Sequence, residues 1–134
     1  MMDVFCGQIQ IRCGDKMIAF ISGHLDLTES EFKEHYVPLI DQAVDQGHRF
    51  VVGDARGTDA MAQMYLKYSP HTTVYHMFES PRNNVGDFQT VGGFKTDAER
   101  DVAMTAASDY DIAWVREGRE NSGTAKNIKR RKSC

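Results

Sequence analysis

The stretch that decides the fold is FVVGDARGTDAMAQMY, residues 50–65. It opens with three apolar residues typical of a buried strand, turns between Gly53 and Gly57, and continues with apolar residues at helical spacing. The first N–H groups of a helix have no partner inside the helix, and the helix dipole favours negative charge there. A strand, a glycine turn and a helix in this order therefore indicate a site for phosphate or another anion.

The composition is that of an ordinary globular chain. Its 134 residues suit one core, so we expect a single domain over residues 1–134. The hydrophobic content of 41% and the charged content of 26% are typical of soluble proteins. The sequence shows no signal-peptide pattern and no apolar run long enough to span a membrane, so we expect no membrane partner.

The cysteines indicate a reducing compartment. Cys6, Cys13 and Cys134 are an odd set without C-x-x-C spacing. We therefore expect free thiols in a cytoplasmic protein.

The charge distribution gives little reason to expect nucleic-acid binding. The net charge is -3, although five of the sixteen basic residues are gathered near the C-terminus. They are Lys126, Lys129, Arg130, Arg131 and Lys132. We favour a solvated last helical turn, where cations suit the helix dipole, over a tail that binds nucleic acid.

Apolar runs alternate with helical patterns along the chain. Strands are predicted at residues 17–21, 49–52, 72–78 and 110–115, and helices at residues 28–46, 57–68, 97–108 and 125–131. The capping box at Thr28 begins the first helix, and Pro38 predicts a kink or two short helices. Residues 79–96 lack a period and are predicted to be a long loop. The alternation predicts an α/β fold, a parallel sheet with helices on both faces, preceded by an extra N-terminal strand or hairpin within residues 2–13.

Three glycine-containing turns follow predicted strands and should lie on one rim of the sheet, where such sheets bind ligands. One such turn alone is weak support, because turns between strands and helices commonly contain these residues. The candidate ligand-binding residues are Ser22, Gly23, Gly53, Gly57, Thr58, Asp59, Ser122, Gly123 and Thr124. Two alternatives are open for Asp54, which could hold a ribose hydroxyl or act as a base. Asp59 also suits the first helical turn through the dipole.

Cofactor and metal motifs are absent. The sequence contains neither G-x-G-x-x-G nor G-x-x-x-x-G-K-[ST], and its five histidines do not form an H-x-x-x-H pair. We therefore expect no cofactor and no metal. His24 follows a strand end, so contact with a ligand is one interpretation of it.

Three segments resemble the SLOG superfamily of Rossmann-like nucleotide-binding proteins, which includes the Lonely Guy phosphoribohydrolases and small YspA/YpsA-type proteins. Residues 52–60 are similar to the family turn G-G-A-x-G-x-D-x-x-A, with Asp54 replacing the second glycine. Residues 100–113 resemble R-x-x-x-M…D-x-x-I-A, and residues 123–128 resemble the glycine-threonine turn of the final helix. The resemblance implies a Rossmann-like fold and a homodimer, since relatives often dimerise.

The resemblance also implies roles for particular residues. Arg100 corresponds to a catalytic arginine of the phosphoribohydrolases, and we expect it to neutralise phosphate; a surface ion pair is its alternative. Asn127 occupies the position of their catalytic glutamate, and an amide cannot act as a general base. Phe88 and Phe94 are candidates to cover a base, and both also suit anchoring of the loop to the core.

We therefore expect a protein that binds a nucleotide or nucleotide-derived ligand, as a sensor or a component of a pathway. The alternative is an N-glycosidase or phosphoribohydrolase acting on nucleoside monophosphates. In that enzyme Arg100 and Asp54 would be catalytic, or Asp59 would take the acid role. Nucleic-acid binding through the basic tail is a third and less favoured hypothesis.

Overall fold

A computed structural model describes residues 4–5, 8–9, 17–69 and 71–133. The strands are β1 (Val4–Phe5), β2 (Gln8–Ile9), β3 (Ile18–Ser22), β4 (Arg49–Gly53), β5 (Thr72–Met77), β6 (Gln89–Phe94) and β7 (Tyr110–Ala113). The helices are α1 (Glu29–His35), α2 (Val37–Asp45), α3 (Thr58–Tyr65), α4 (Asp97–Ala106) and α5 (Gly123–Ser133).

Five of these strands form one parallel sheet in the order β6-β5-β4-β3-β7. This confirms the predicted α/β class with a Rossmann-like arrangement. The chain moves outward from β3 through β4 and β5 to β6, and then returns to place β7 on the other side of β3. The order of strands therefore reverses between β3 and β7, and ligands of open α/β sheets bind at such a point.

Side chains of the central strands alternate between two apolar layers. Ile21 and Val52 belong to the larger layer, together with apolar residues of α1, α2 and α3. Phe20 and Val51 point the other way and pack with Met104 of α4. Helices therefore cover both faces of the sheet, which explains why the sequences of these strands are continuous apolar runs.

Two local predictions for the first helical region are confirmed. The Oγ1 of Thr28 accepts from Glu31 N at 3.1 Å, and a carboxylate oxygen of Glu31 accepts from Thr28 N at 2.9 Å. The region divides at Tyr36 into α1 and α2, with Pro38 in the first turn of α2. Proline is tolerated in that turn because the N–H it lacks would have no helical partner there.

The prediction of one long loop over residues 79–96 was wrong, because β6 occupies its second half. β6 lies at the edge of the sheet, is largely exposed, and contains Gly92 and Gly93. A Cβ on Gly92 would lie 2.1 Å from the ring of His76 on β5, so glycine permits the pairing of the strands. An exposed, glycine-rich edge strand carries neither a buried apolar run nor a regular alternation.

The N-terminal hairpin is partly described. β1 and β2 pair antiparallel as a separate two-stranded sheet, with Val4 opposite Ile9. The predicted hairpin is present, although its described residues do not join the edge of the five-stranded sheet. Cys6, Cys13 and Cys134 lie outside the described residues.

Candidate functional site

A cavity of about 410 Å³ opens at the carboxyl ends of the strands, beside the reversal between β3 and β7. The turns after β3, β4 and β7 all reach it, together with α4 and the loop after β5. Seven of the predicted site residues line it: Ser22, Gly23, Asp59, Arg100, Ser122, Gly123 and Thr124. The structure therefore brings these residues, from four separate segments, to one place.

The remaining predicted residues, Gly53, Asp54, Gly57 and Thr58, do not line the cavity, and contacts within the protein account for them. A Cβ on Gly53 would lie 2.5 Å from the Oδ2 of Asp59. Gly57 has a φ of +76°, and a Cβ there would lie 2.4 Å from the carbonyl oxygen of Leu25. Thr58 donates from both N and Oγ1 to the carbonyl of His24, at 3.2 and 2.9 Å. The first N–H of α3 is thus already bonded.

The N-terminus of α5 is arranged differently. Ser122 caps it, because its carbonyl accepts from Lys126 N at 3.0 Å and its Oγ accepts from Ala125 N at 3.2 Å. Within the part of the chain that the structure describes, the N–H groups of Gly123 and Thr124 have no hydrogen-bond acceptor. Both residues line the cavity, and a Cβ on Gly123 would meet no atom within 4 Å. This helix end can therefore accept an anion.

Three polar side chains of the cavity wall carry an oxygen without a hydrogen-bond partner among the described residues, whereas Thr72 and Thr105 carry such atoms away from the cavity. Ser22, Asp59 and Thr124 are only 6, 7 and 5% exposed and line it. The Ser22 Oγ has no hydrogen-bond partner, and the Oδ1 of Asp59 and the hydroxyl of Thr124 have none among the described residues. Buried polar groups are normally hydrogen-bonded, so this wall is suited to a polar ligand.

Asp54 lies at the centre of an ion-pair cluster. Its side chain is fully buried. The carboxylate accepts three hydrogen bonds from Arg82, from the backbone N at 2.9 Å, from Nε at 3.1 Å and from Nη2 at 2.8 Å. It accepts a fourth hydrogen bond from Nη1 of Arg100, at 2.8 Å. Burial by itself would raise the pKa of Asp54, but the hydrogen bonds from Arg82 and Arg100 lower the pKa to about 2. Such a carboxylate is a weak base near neutral pH, and it does not line the cavity.

Arg100 is buried and reaches the cavity, but its charge is already balanced. Besides Asp54, its guanidinium contacts Asp101 at 3.0 Å and Asp97 at 3.3 Å. Burial acts to lower the pKa of Arg100, but Asp59 and the other nearby carboxylates raise it overall. The guanidinium therefore organises several carboxylates, in addition to any contact it makes with a ligand.

Asp59 is the carboxyl group of the cavity whose protonation is most altered. Burial is the main cause that raises its pKa to about 7; Arg100 opposes the shift, and Asp101 and Asp54 add to it. Its Oδ2 accepts from the N–H of Ala55 at 3.2 Å. A carboxyl group with this pKa can both hold and release a proton near neutral pH.

Asn127 is buried, and both ends of its amide are bonded. Its Nδ2 donates to the Oδ2 of Asp101 at 3.2 Å, and its Oδ1 accepts from Arg130 at 2.6 Å. A glutamate in its place would have no proton to offer Asp101 when ionised and would add a like charge. The amide is therefore the side chain that fits this arrangement of charges.

The two arginines of the basic tail point back to the protein. Arg131 bonds the carboxylate of Asp111 at 3.1 Å and the hydroxyl of Ser108 at 2.6 Å. Arg130 bonds Asn127, whereas the three lysines of the tail are exposed. The predicted solvated last turn therefore describes the three lysines, whereas both arginines are bonded to residues of the protein.

Neither candidate aromatic residue covers the cavity. Phe88 is buried in the larger apolar layer and so anchors the loop that precedes β6. Phe94 stacks on Tyr75 with ring centroids 6.0 Å apart. Their contacts are those of anchoring residues.

Several residues of the cavity wall were absent from the predicted set. They are Arg56, Arg82, Asn83, Asp97, Asp101 and Arg119. Arg56 lies inside the opening motif, and Arg119 lies three residues before Ser122, so proximity to the turns was an available signal. No local pattern marks Arg82 as a partner of Asp54, because 28 residues separate the two.

No group of three or more His, Cys, Asp or Glu side chains within residues 17–69 and 71–132 is arranged to hold a metal ion. Among the described helices, none has the length and apolarity needed to cross a membrane. Comparisons of the chain with protein-family models, with curated proteins and with solved structures find no match.

Proposed function

We propose that this protein binds a nucleotide or a nucleotide-derived ligand, with a phosphate group at the N-terminus of α5. The observation that carries the proposal is the pair of free N–H groups at Gly123 and Thr124, facing a cavity with the unpartnered Ser22 hydroxyl. Backbone N–H groups at a helix start bind phosphate through hydrogen bonds and the helix dipole, without a metal.

The size and charge of the cavity support this proposal. A volume of about 410 Å³ lies within the usual range of small-molecule sites. The side chain of Arg56 is exposed, and no described residue forms an ion pair with it. Among the described residues, the side chain of Arg119 forms an ion pair only with Asp26, at 3.6 Å. These two arginines can turn toward an anion, whereas Arg82 and Arg100 are already bonded to carboxylates.

The resemblance to the SLOG superfamily suggests the class of protein and the biological role that go with this proposal. The glycine-threonine turn that resembles the family motif is the turn whose N–H groups are free. We therefore propose a small SLOG-type protein that senses a nucleotide-derived metabolite or takes part in its metabolism. A homodimer stays a prediction of the same resemblance.

One observation favours the enzymatic alternative, an N-glycosidase. Asp59 lines the cavity, and its pKa is raised mainly by burial, to about 7. In this reaction Asp59 would give its proton to the departing base as the C1′–N bond breaks, with the bonding electrons leaving on the base. Water would add to C1′ and release a proton to solvent. Asp59, rather than Asp54, is the acid that this geometry favours.

Calorimetric titration with AMP, ADP, IMP and ADP-ribose tests binding. Gly123→Pro removes one N–H at a helix position where proline is favoured, and Gly123→Ala is the matched control that keeps it. We expect about tenfold weaker binding in Gly123→Pro and near wild-type binding in Gly123→Ala, because hydrogen bonds to charged groups contribute about 1.5–3 kcal/mol. Equal affinities in both variants would place the phosphate elsewhere.

Chromatography of the same mixtures separates binding from cleavage. Free base released by the wild type and lost in Asp59→Asn supports the glycosidase. Saturable binding without base release across the panel would reject the glycosidase and leave the binding proposal standing.

A further inference from the structure

His24 follows β3 and is held in the wall of the cavity. It is only 2% exposed, and its Nε2 accepts a hydrogen bond from Arg116 N at 2.8 Å. A backbone N–H can only donate, so Nε2 carries no proton. A neutral imidazole then carries its proton on Nδ1, which makes Nδ1 a donor.

The surroundings keep this ring neutral and fixed in place. Burial is the main cause that lowers the pKa of His24, and the positive charges of Arg119 and Arg116 lower it further. Asp26 and Glu31 act in the opposite direction without reversing the shift. Both carboxylates are themselves bonded to Arg116, which limits their effect on the ring.

Packing fixes the orientation of the ring as well. Trp114 meets it edge-on, with ring centroids 6.0 Å apart. The carbonyl of His24 is held by Thr58, as described above, so the residue is anchored at its backbone and at Nε2. Of the two ring nitrogens, only Nδ1 is left without a hydrogen-bond partner among the described residues.

We propose that His24 is a ligand-binding residue, whose Nδ1–H donates a hydrogen bond to the oxyanion group bound at the N-terminus of α5. This inference rests on the proposed function. His24 lines the same cavity as Gly123 and Thr124. It is also close enough to Arg119 for that positive charge to lower the pKa of the imidazole. A neutral N–H donor recognises an acceptor oxygen of a phosphate ester without adding a charge to a wall that already contains several ion pairs.

The same ring connects the ligand to the loop that positions α5. The ring of His24 accepts a hydrogen bond from the N–H of Arg116. Arg116 begins the segment that continues through Arg119 to Ser122, the cap of α5. A second proton on the ring would remove the acceptor at Nε2. The neutral ring with its proton on Nδ1 is therefore the form of His24 that can both donate at the cavity and hold the loop.

Two substitutions separate the two nitrogens. In His24→Gln the side-chain oxygen can replace Nε2 as acceptor for Arg116, but no donor remains at the position of Nδ1. In His24→Asn the amide N–H can replace the Nδ1 donor, whereas Arg116 loses its partner. Affinity for AMP is measured by calorimetry, with inorganic phosphate as the simpler probe, and stability is measured by thermal unfolding.

We expect His24→Gln to bind AMP about tenfold more weakly with a Tm near that of the wild type. We expect His24→Asn to keep affinity within about threefold while its Tm falls. Full affinity in His24→Gln overturns the role of His24 as a donor. If the wild type binds no member of the nucleotide panel, the proposed function fails and this role fails with it.

Long-range ¹H–¹⁵N spectra of the imidazole test the tautomer in ligand-free protein. We expect a protonated Nδ1 and a bare Nε2, with the Nδ1 resonance shifting when AMP is added. A protonated Nε2 in the ligand-free protein would overturn the inference even if AMP binds, which distinguishes its failure from that of the proposed function.

Discussion

Arg82 holds the carboxylate of Asp54 with three hydrogen bonds, from its backbone N and from Nε and Nη2 of its side chain. The same guanidinium donates to Asp97 at 2.8 Å, in the first turn of α4. Asp54 follows β4 directly, so these contacts join the strand end, the loop after β5 and α4. The wall of the cavity between β4 and α4 depends on this connection.

Asp54→Asn should destabilise the protein strongly. The substitution removes the negative charge shared by Arg82 and Arg100 and leaves those cations without full compensation at a buried site. We expect a loss of about 3 kcal/mol in the free energy of unfolding, typical of breaking a buried ion pair. Urea denaturation measures it, with Asp41→Asn on the exposed surface of α2 as a control. A loss below about 1 kcal/mol would show that the cluster contributes little to stability.

The contribution of Asp54 should also depend on pH. Its pKa is lowered to about 2 in the folded protein, so its stabilisation is present above the unfolded value of 3.8 and is lost as pH falls toward 2. The difference in unfolding free energy between wild type and Asp54→Asn should therefore shrink between pH 4 and pH 2. A difference that stays constant over this range would contradict the assigned pKa.

Asp59→Asn should show the opposite pH dependence. The folded pKa of Asp59 is raised to about 7, so its contribution to stability is present below 3.8 and is lost as pH rises through 7. An asparagine can accept from Ala55 N in the same way without becoming charged. We expect the variant to gain stability relative to wild type between pH 4 and pH 7, by up to about 4 kcal/mol at 1.36 kcal/mol per pKa unit. A pH-independent difference would refute the raised pKa.

Two glycines of the cavity should respond differently to alanine. A Cβ on Gly23 would lie 2.3 Å from Thr58 Oγ1 and 2.4 Å from the hydroxyl of Tyr36, whereas Gly123 faces open space. Gly23→Ala should therefore cost about 1–3 kcal/mol through overpacking. Gly123→Ala should leave Tm unchanged or slightly raised, because alanine favours a helix. Similar losses in both variants, measured by thermal unfolding, would contradict these two placements.

The sheet was predictable from the sequence wherever strands are buried on both faces. Phe20 and Val51 lie on one face, and Ile21 and Val52 lie on the other. Because both faces are buried, the sequences of these strands are continuous apolar runs. The sequence of β6 has no such run, because its side chains are exposed and Gly92 permits a close approach to His76. Its presence depends on pairing with β5, which is a tertiary contact.

The turns that form the rim of the candidate site were predictable from the sequence, whereas its ion pairs were not. Turns after parallel strands must meet at one edge, which brought Ser22, Asp59 and Gly123 together as expected. The sequence did not distinguish a helix start that is open from one already bonded within the protein. Thr58 and Gly123 both follow a turn, yet the N–H of Thr58 is taken by the carbonyl of His24. That difference arises from contacts between distant segments.

The most direct test of the central claim is a crystal structure of the protein with AMP. We predict the phosphate within hydrogen-bond distance of the N–H groups of Gly123 and Thr124, with Arg56 or Arg119 turned toward it. A phosphate bound away from this helix end, or at the opposite end of the sheet, would contradict the account.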